Sequence, residues 1–126
     1  MGTVLIHCAS GMQRVARKSR HRVAEACDKV SAVLALNPEY GIVVKGHSHL
    51  RKMRVKAPGL TTGKSGGYRL IYATTIVDEC RYIALVSLYF KGDQEDLRPD
   101  EYKHHEAETK RILGNVIAHE WQAVTS

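Results

Sequence analysis

Apolar and polar positions change period twice along this chain, and each change marks an element. Thr3 to His7 is a short β-prone run that predicts a first strand. From Arg14 to Leu36 the period becomes helical. Val23, Cys27, Val30 and Leu34 recur at steps of four, three and four, and Ala26 and Val33 widen the stripe. Five cations, Arg14, Arg17, Lys18, Arg20 and Arg22, crowd the start of this segment, which admits two short helices meeting near Ser19 to His21. Asn37-Pro38 ends it, because the residue before a proline is pushed out of the α region. Glu39-Tyr40-Gly41 reads as a turn.

After Gly46 the period falls to two. Met53 and Val55 alternate with Lys52, Arg54 and Lys56, so a strand here carries three cations on one face and apolar groups on the other. A glycine-rich connection from Pro58 to Gly67 leads into Tyr68 to Val77, a second strand. Asp78-Glu79 turns the chain into a third, Arg81 to Phe90. That third strand is apolar on both faces and is expected to be central. Short links between the three predict antiparallel hairpins. Pro99 with Asp100 and Glu101 opens a helix running to about Leu113, with Gly114-Asn115 as its end and Val116 to Val124 as a last turn or tail around Trp121. The expectation is one α+β domain over residues 1–126, with helices against one side of a sheet and residues 113–126 as a possible extra tail.

Charge sharpens this picture. The chain has 126 residues and a net charge of +6. Residues 1–70 hold 13 Lys and Arg against 3 acids, whereas residues 71–126 hold 6 against 10. From Lys45 to Arg69 there are seven cations and no acid. A segment of that kind favours a polyanion, either nucleic acid or an acidic protein that imitates one. Three cysteines at no metal-like spacing suit a reducing compartment, and Met1 to Gly11 lacks the basic start and apolar run of a signal peptide. The longest apolar run, Ile83 to Phe90, is far too short to span a bilayer. The expectation is a cytoplasmic protein with no membrane partner.

Several apparent motifs fail on spacing. Gly59 to Ser65 imitates a phosphate-binding loop but has three residues between its glycines instead of four, and a strand follows it where that motif opens a helix. His105-Glu106 and His119-Glu120 begin like a zinc motif, yet Thr109 and Ala123 stand where a second histidine is needed. His104 and His105 point in different directions on a helix and are expected to face solvent. Asp93, Glu95 and Asp96 are explained by turn and capping work. No metal or other cofactor is expected, and no serine or cysteine sits in a nucleophile setting.

The cations remain. Lys52, Arg54 and Lys56 share a strand face, Arg69 follows a Gly-Gly on the next strand, and Lys91 ends the third. Side chains from adjacent strands about 5 Å apart can converge on one phosphate. Because RNA carries its own nucleophile, the 2′-OH, such a cluster can promote internal cleavage without a metal. Spacing alone ranks simple RNA binding ahead of cleavage.

Two of these stretches, Leu50-Arg51-Lys52-Met53-Arg54-Val55 and Gly63-Lys64-Ser65-Gly66-Gly67-Tyr68-Arg69-Leu70-Ile71-Tyr72, resemble the RelE/HigB family of bacterial type II toxins. Asn37 to Gly41 is similar to that family's NPxxG turn, and Leu88 to Leu97 to its end-of-strand segment. The resemblance covers roughly residues 30–105. It implies a compact α+β fold and a metal-independent endoribonuclease that cuts mRNA in the ribosomal decoding site and thereby inhibits translation. It also implies a cognate antitoxin protein as a partner. By the same resemblance Lys52, Arg54, Arg69 and Lys91 are catalytic, with Arg69 gripping the scissile phosphate, and Arg51, Lys56 and Lys64 contact RNA. His47 and His49, where many members have a glycine-rich turn, are extra acid–base groups or loop residues. The same-fold ParE branch, which inhibits DNA gyrase, generally lacks this full set of cations. A non-catalytic RNA-binding protein is the remaining alternative, and the chain's single Trp and single Phe make a poor stacking platform for it.

Overall fold

The computed structural model describes residues 3–9, 11–14, 23–56, 67–91, 94–115 and 121–123. In chain order these form β1 (Val4–Cys8), α1 (Val23–Leu36), β2 (Ile42–Val44), β3 (His47–Val55), β4 (Tyr68–Val77), β5 (Cys80–Phe90), α2 (Pro99–Gly114) and β6 (Gln122–Ala123). Residues 11–14 are also helical. The six strands make one mixed sheet in the order β2-β3-β4-β5-β1-β6. β2 to β5 run antiparallel to their neighbours, β1 lies parallel to β5, and β6 is antiparallel to β1. The architecture is α+β, with the apolar β5 central as its composition requires.

The helices do not share one side of the sheet. Cys27 and Leu34 of α1 join Met53, Leu70, Tyr72 and Leu85 in one core. Tyr102 of α2 joins Leu50, Ile71, Ala73 and Tyr89 in another, on the opposite face. Both faces of β4 and β5 are therefore covered, and the expected one-sided layer is corrected to a sheet between helices. The reason is legible in β4, where residues 68–73 are all buried and no polar position is left to face solvent. Val33 is 42 % exposed, because the sheet covers only the narrower stripe through Cys27, Val30 and Leu34.

Three local devices set the sheet's geometry. Gly46 at φ +82 turns β2 into β3, a hairpin whose short first strand the period-two pattern did not mark. That hairpin makes His47 and His49 strand residues instead of loop residues. Asp78 and Glu79, at φ 50 and φ 65, form the two-residue turn between β4 and β5. Both central residues of such a turn must be left-handed to match the strand twist. Finally, the β4–β5 ladder shifts register between Ile71 and Tyr72: Tyr72 pairs Leu85 but Ile71 pairs Ser87. Val86 is the extra residue, a β-bulge. At the other end of the chain, β6 returns to pair with β1, and Trp121 packs its ring against His7 and Tyr82. The tail expected after residue 113 thus ends, where described, as an edge strand. The proposed helix junction at Ser19 to His21 lies outside the described residues.

Candidate active site

The bulge decides which side chains meet. Counting back from the turn at Asp78-Glu79 with unbroken pairing puts Leu88 opposite Arg69. The extra residue shifts this by one, so Arg69 pairs Tyr89 on one side and Arg54 on the other. Arg54, Arg69 and Tyr89 form a row across three strands, on the face that α2 partly covers. Lys52, paired with Ile71, stands one step along β3 on the same face. Lys91 follows Tyr89 by two residues, in phase with it, and its main chain is tied to the start of β4 by the N–H donating to the Gly67 carbonyl at 3.0 Å. The structure therefore brings together Lys52, Arg54, Arg69 and Lys91.

Their environments differ. Arg69 is only 7 % exposed, and its Nη1 donates to the Tyr68 carbonyl at 3.3 Å. Among the described residues no carboxylate forms an ion pair with Arg69 or with the exposed Arg54. Lys91 Nζ lies 3.8 Å from the exposed Glu95 carboxylate, a contact of little energetic weight. Lys52 is held more firmly. Its Nζ donates to Asp96 Oδ1 at 3.4 Å and to Tyr102 Oη at 3.3 Å.

Asp96 gathers the rest. Its Oδ1 also accepts from Tyr102 Oη at 2.6 Å, from Tyr89 Oη at 3.3 Å and from the Leu97 N–H at 2.8 Å. Burial works against its charge, but the hydrogen bonds from Tyr102 and Leu97 and the Lys52 ammonium outweigh it and hold the carboxyl below its usual range. The two tyrosines move the other way. Burial, reinforced by the Asp96 charge, pushes Tyr89 up to about 12, and burial with the Asp96 hydrogen bond pushes Tyr102 higher still. Both phenols keep their protons at neutral pH and give them to Asp96, so neither serves as a base, and Tyr89, on the longer bond, is the one that can turn its proton to a bound anion. Behind Tyr102, His47 stacks on its ring at 5.2 Å and sets Nδ1 3.3 Å from Glu106 Oε2. His47 thus supports a tyrosine, while the exposed His49 lies elsewhere, on the rim of a separate cavity.

Other expected contacts fall apart in space. Arg51 pairs Tyr72 and so faces away from Lys52, with Nη1 donating to the Gly41 carbonyl at 2.6 Å and the Glu39 carbonyl at 3.2 Å. Lys56 is exposed just past the end of β3. Lys64 lies outside the described residues, as does Asp93. Asp96 does more than the turn and capping work assigned to it. Tyr89 and Tyr102 were not expected at the site at all. Alternation places Tyr89 with Lys91, but no sequence signal reveals the bulge that turns both toward Arg69. His105 is half-buried with Nδ1 lacking a hydrogen-bond partner, and burial lowers its pKa, which corrects the expectation that it faces solvent.

Cys8 and Cys27 are poor nucleophiles, since burial pushes their thiols up to about 11 and about 12. Among the described residues no group of three His, Cys, Asp or Glu side chains is placed to hold a metal ion. None of the helices among those residues is long and apolar enough to cross a membrane. The face offers two guanidiniums side by side, an ammonium on either side of them and a phenol, a row that a phosphodiester chain can follow. No protein-family model matches the chain.

Proposed function

We propose that this protein is a RelE/HigB-like toxin, a metal-independent endoribonuclease that cuts mRNA on the ribosome in the cytoplasm. The observation that carries the reading is Arg69: a nearly buried guanidinium with no carboxylate partner among the described residues, set between Arg54 and Tyr89 and beside Lys52. A fold that desolvates a cation without pairing it gains when an anion arrives. A scissile phosphate is that anion. Arg69 and Arg54 hold its nonbridging oxygens and stabilise the charge that develops as the 2′-OH attacks. One lysine, Lys52 or Lys91, handles the proton traffic, and the Tyr89 hydroxyl turns its single proton from Asp96 to a phosphate oxygen. Products of this chemistry are a 2′,3′-cyclic phosphate and a 5′-hydroxyl.

An acidic or apolar protein partner, a cognate antitoxin, is part of the same proposal. It is supported by an exposed apolar band where α1 meets the edge strand β2: Val33, Leu36, Tyr40, Ile42 and Val43 are each 42 to 74 % exposed.

The test is inducible expression in a bacterial host with message ends mapped by primer extension. Growth arrest with cuts confined to translated regions, both absent for Arg69→Ala, is the expected result. Arrest with DNA damage and intact messages assigns the protein to the gyrase inhibitors instead. Arrest-free expression of a folded chain that still binds RNA makes it a binding module.

A further inference from the structure

β3 and β4 part company at their other end. Arg51 and Tyr72 are the last pair of their ladder, and none joins His47–Leu50 to Ala73–Val77. A cavity of 460 Å³ lies at this opening, bordered by the C-terminal half of α2. Thr74, on its wall, is five residues along β4 from Arg69, about 17 Å at strand rise. The cavity is therefore separate from the catalytic row, and its size is that of a small-ligand pocket.

Its lining mixes the apolar Val77 and Leu113 with polar groups, and its charge is mostly positive. Arg51, Arg81 and Lys110 face one carboxylate, Glu39. Two of the cations are fixed in place through a single nitrogen each. Arg81 Nη1 donates to Thr74 Oγ1 at 3.2 Å, while that hydroxyl donates to the Tyr82 carbonyl at 3.0 Å. Arg51 Nη1 is held by the Gly41 and Glu39 carbonyls. Each guanidinium keeps further N–H groups for a ligand. A separate observation points the same way. Thr109 is 1 % exposed and lines this cavity, yet its Oγ1 is buried without a hydrogen-bond partner. Buried hydroxyls are normally satisfied, and one that is not marks a place where an acceptor is missing.

We propose that this opening is a second anion site that takes a phosphate group, with Arg51, Arg81 and Lys110 neutralising it and the Thr109 hydroxyl donating to one oxygen. The balance of three cations against one carboxylate favours an anion over a cation, and the threonine hydroxyls on the wall favour one with hydrogen-bond acceptors. Phosphate reaches such a site either on a free nucleotide or on an RNA backbone. The proposal does not depend on the nuclease reading, since none of its residues belongs to the catalytic row.

The experiment is calorimetry on the full chain carrying Arg69→Gln, which weakens the other anion-binding face. Pyrophosphate, adenosine 5′-monophosphate and a 2′-deoxy hexanucleotide are the probes. Saturable binding is expected, weakened at least roughly tenfold by Arg81→Gln with Lys110→Gln, as loss of charge-assisted hydrogen bonds dictates. Thr109→Val, nearly isosteric and the safer variant for folding, is expected to weaken it severalfold. Binding of the mononucleotide assigns the site to a free nucleotide, whereas binding of the hexanucleotide without the mononucleotide assigns it to backbone phosphate. Absence of saturable binding by all three probes, or binding indifferent to all three substitutions, overturns the proposal.

Discussion

At the scale of single residues, Arg69 decides whether the cationic face is a site or a surface. An exposed arginine replaced by alanine loses only some solvated charge. A buried one without a carboxylate partner among the described residues loses a charge that the fold had to desolvate, so its removal costs folding little. Arg69→Ala is expected to lower cleavage at least about a hundredfold, the usual cost of deleting one transition-state donor. Its melting temperature should stay within a few degrees of the parent. A variant that fails to fold makes Arg69 structural, and a variant that still cuts removes it from the reaction. Lys52 is the contrasting case. It is tied to Asp96 and Tyr102, so its position depends on neighbours from a different element.

At the scale of elements, the β4–β5 hairpin makes two claims that can be tested apart. Its turn places Asp78 and Glu79 at positive φ, a conformation that L side chains adopt only at a cost. Glu79→Gly is therefore expected to stabilise the fold by about 0.5 kcal/mol, measured by urea denaturation, with activity unchanged. A destabilised variant means the Glu79 side chain makes interactions that outweigh the backbone strain. The bulge at Val86 is the second claim. Deleting Val86 removes the extra residue and restores simple alternation, with Ser87 still opposite Ile71, Tyr89 still opposite Arg69, and Leu88 and Phe90 still in their core. Cooperative unfolding is expected to survive, with stability lowered by about 2 kcal/mol for the Val86 side chain lost from its cluster with Ala84 and Ile112. A deletion variant that loses cooperative unfolding contradicts a bulge at Val86.

The same hairpin shows how much the sequence makes legible. Alternation and β-branched content locate β4 and β5 almost residue for residue, because burial on both faces leaves a long unbroken apolar run. The cations on β3 are equally visible, since one face of that strand is polar. What stays hidden is long-range. The bulge depends on how two cores of different size meet the two sides of one strand, and Asp96, Tyr89 and Tyr102 converge only after α2 folds back over the sheet. β2 escapes notice for a local reason: three residues are too few to establish a period.

At the scale of the whole molecule, charge couples folding and binding to conditions in opposite ways. The Asp96 carboxyl is held below its ordinary value, so the folded state binds its proton more weakly than the unfolded chain does. Its contribution to stability is complete above the unfolded value near 4 and is lost as pH falls through the folded one. Asp96→Asn, which cannot titrate, is expected to flatten the acid limb of the stability curve and to soften the alkaline limb as well, because the Asp96 charge helps raise Tyr89 and Tyr102. The alkaline limb belongs to tyrosine. Tyr89, raised to about 12, keeps its proton in the folded state where the unfolded chain loses it near 10, so that stability falls between pH 10 and 12. RNA binding answers to salt instead. If the four charges of Lys52, Arg54, Arg69 and Lys91 offset those of the scissile phosphate and its three neighbours on a single strand, log K falls with log salt at a slope of about −2.8, or roughly fiftyfold between 50 and 200 mM. Replacing Arg69 by glutamine should reduce that slope by about 0.7, whereas replacing Arg98, paired with Asp100 and Glu101 at the start of α2, should leave it unchanged. Equal losses from the two substitutions mean the chain responds to its net charge alone, and the row across β3, β4 and β5 has no privileged role.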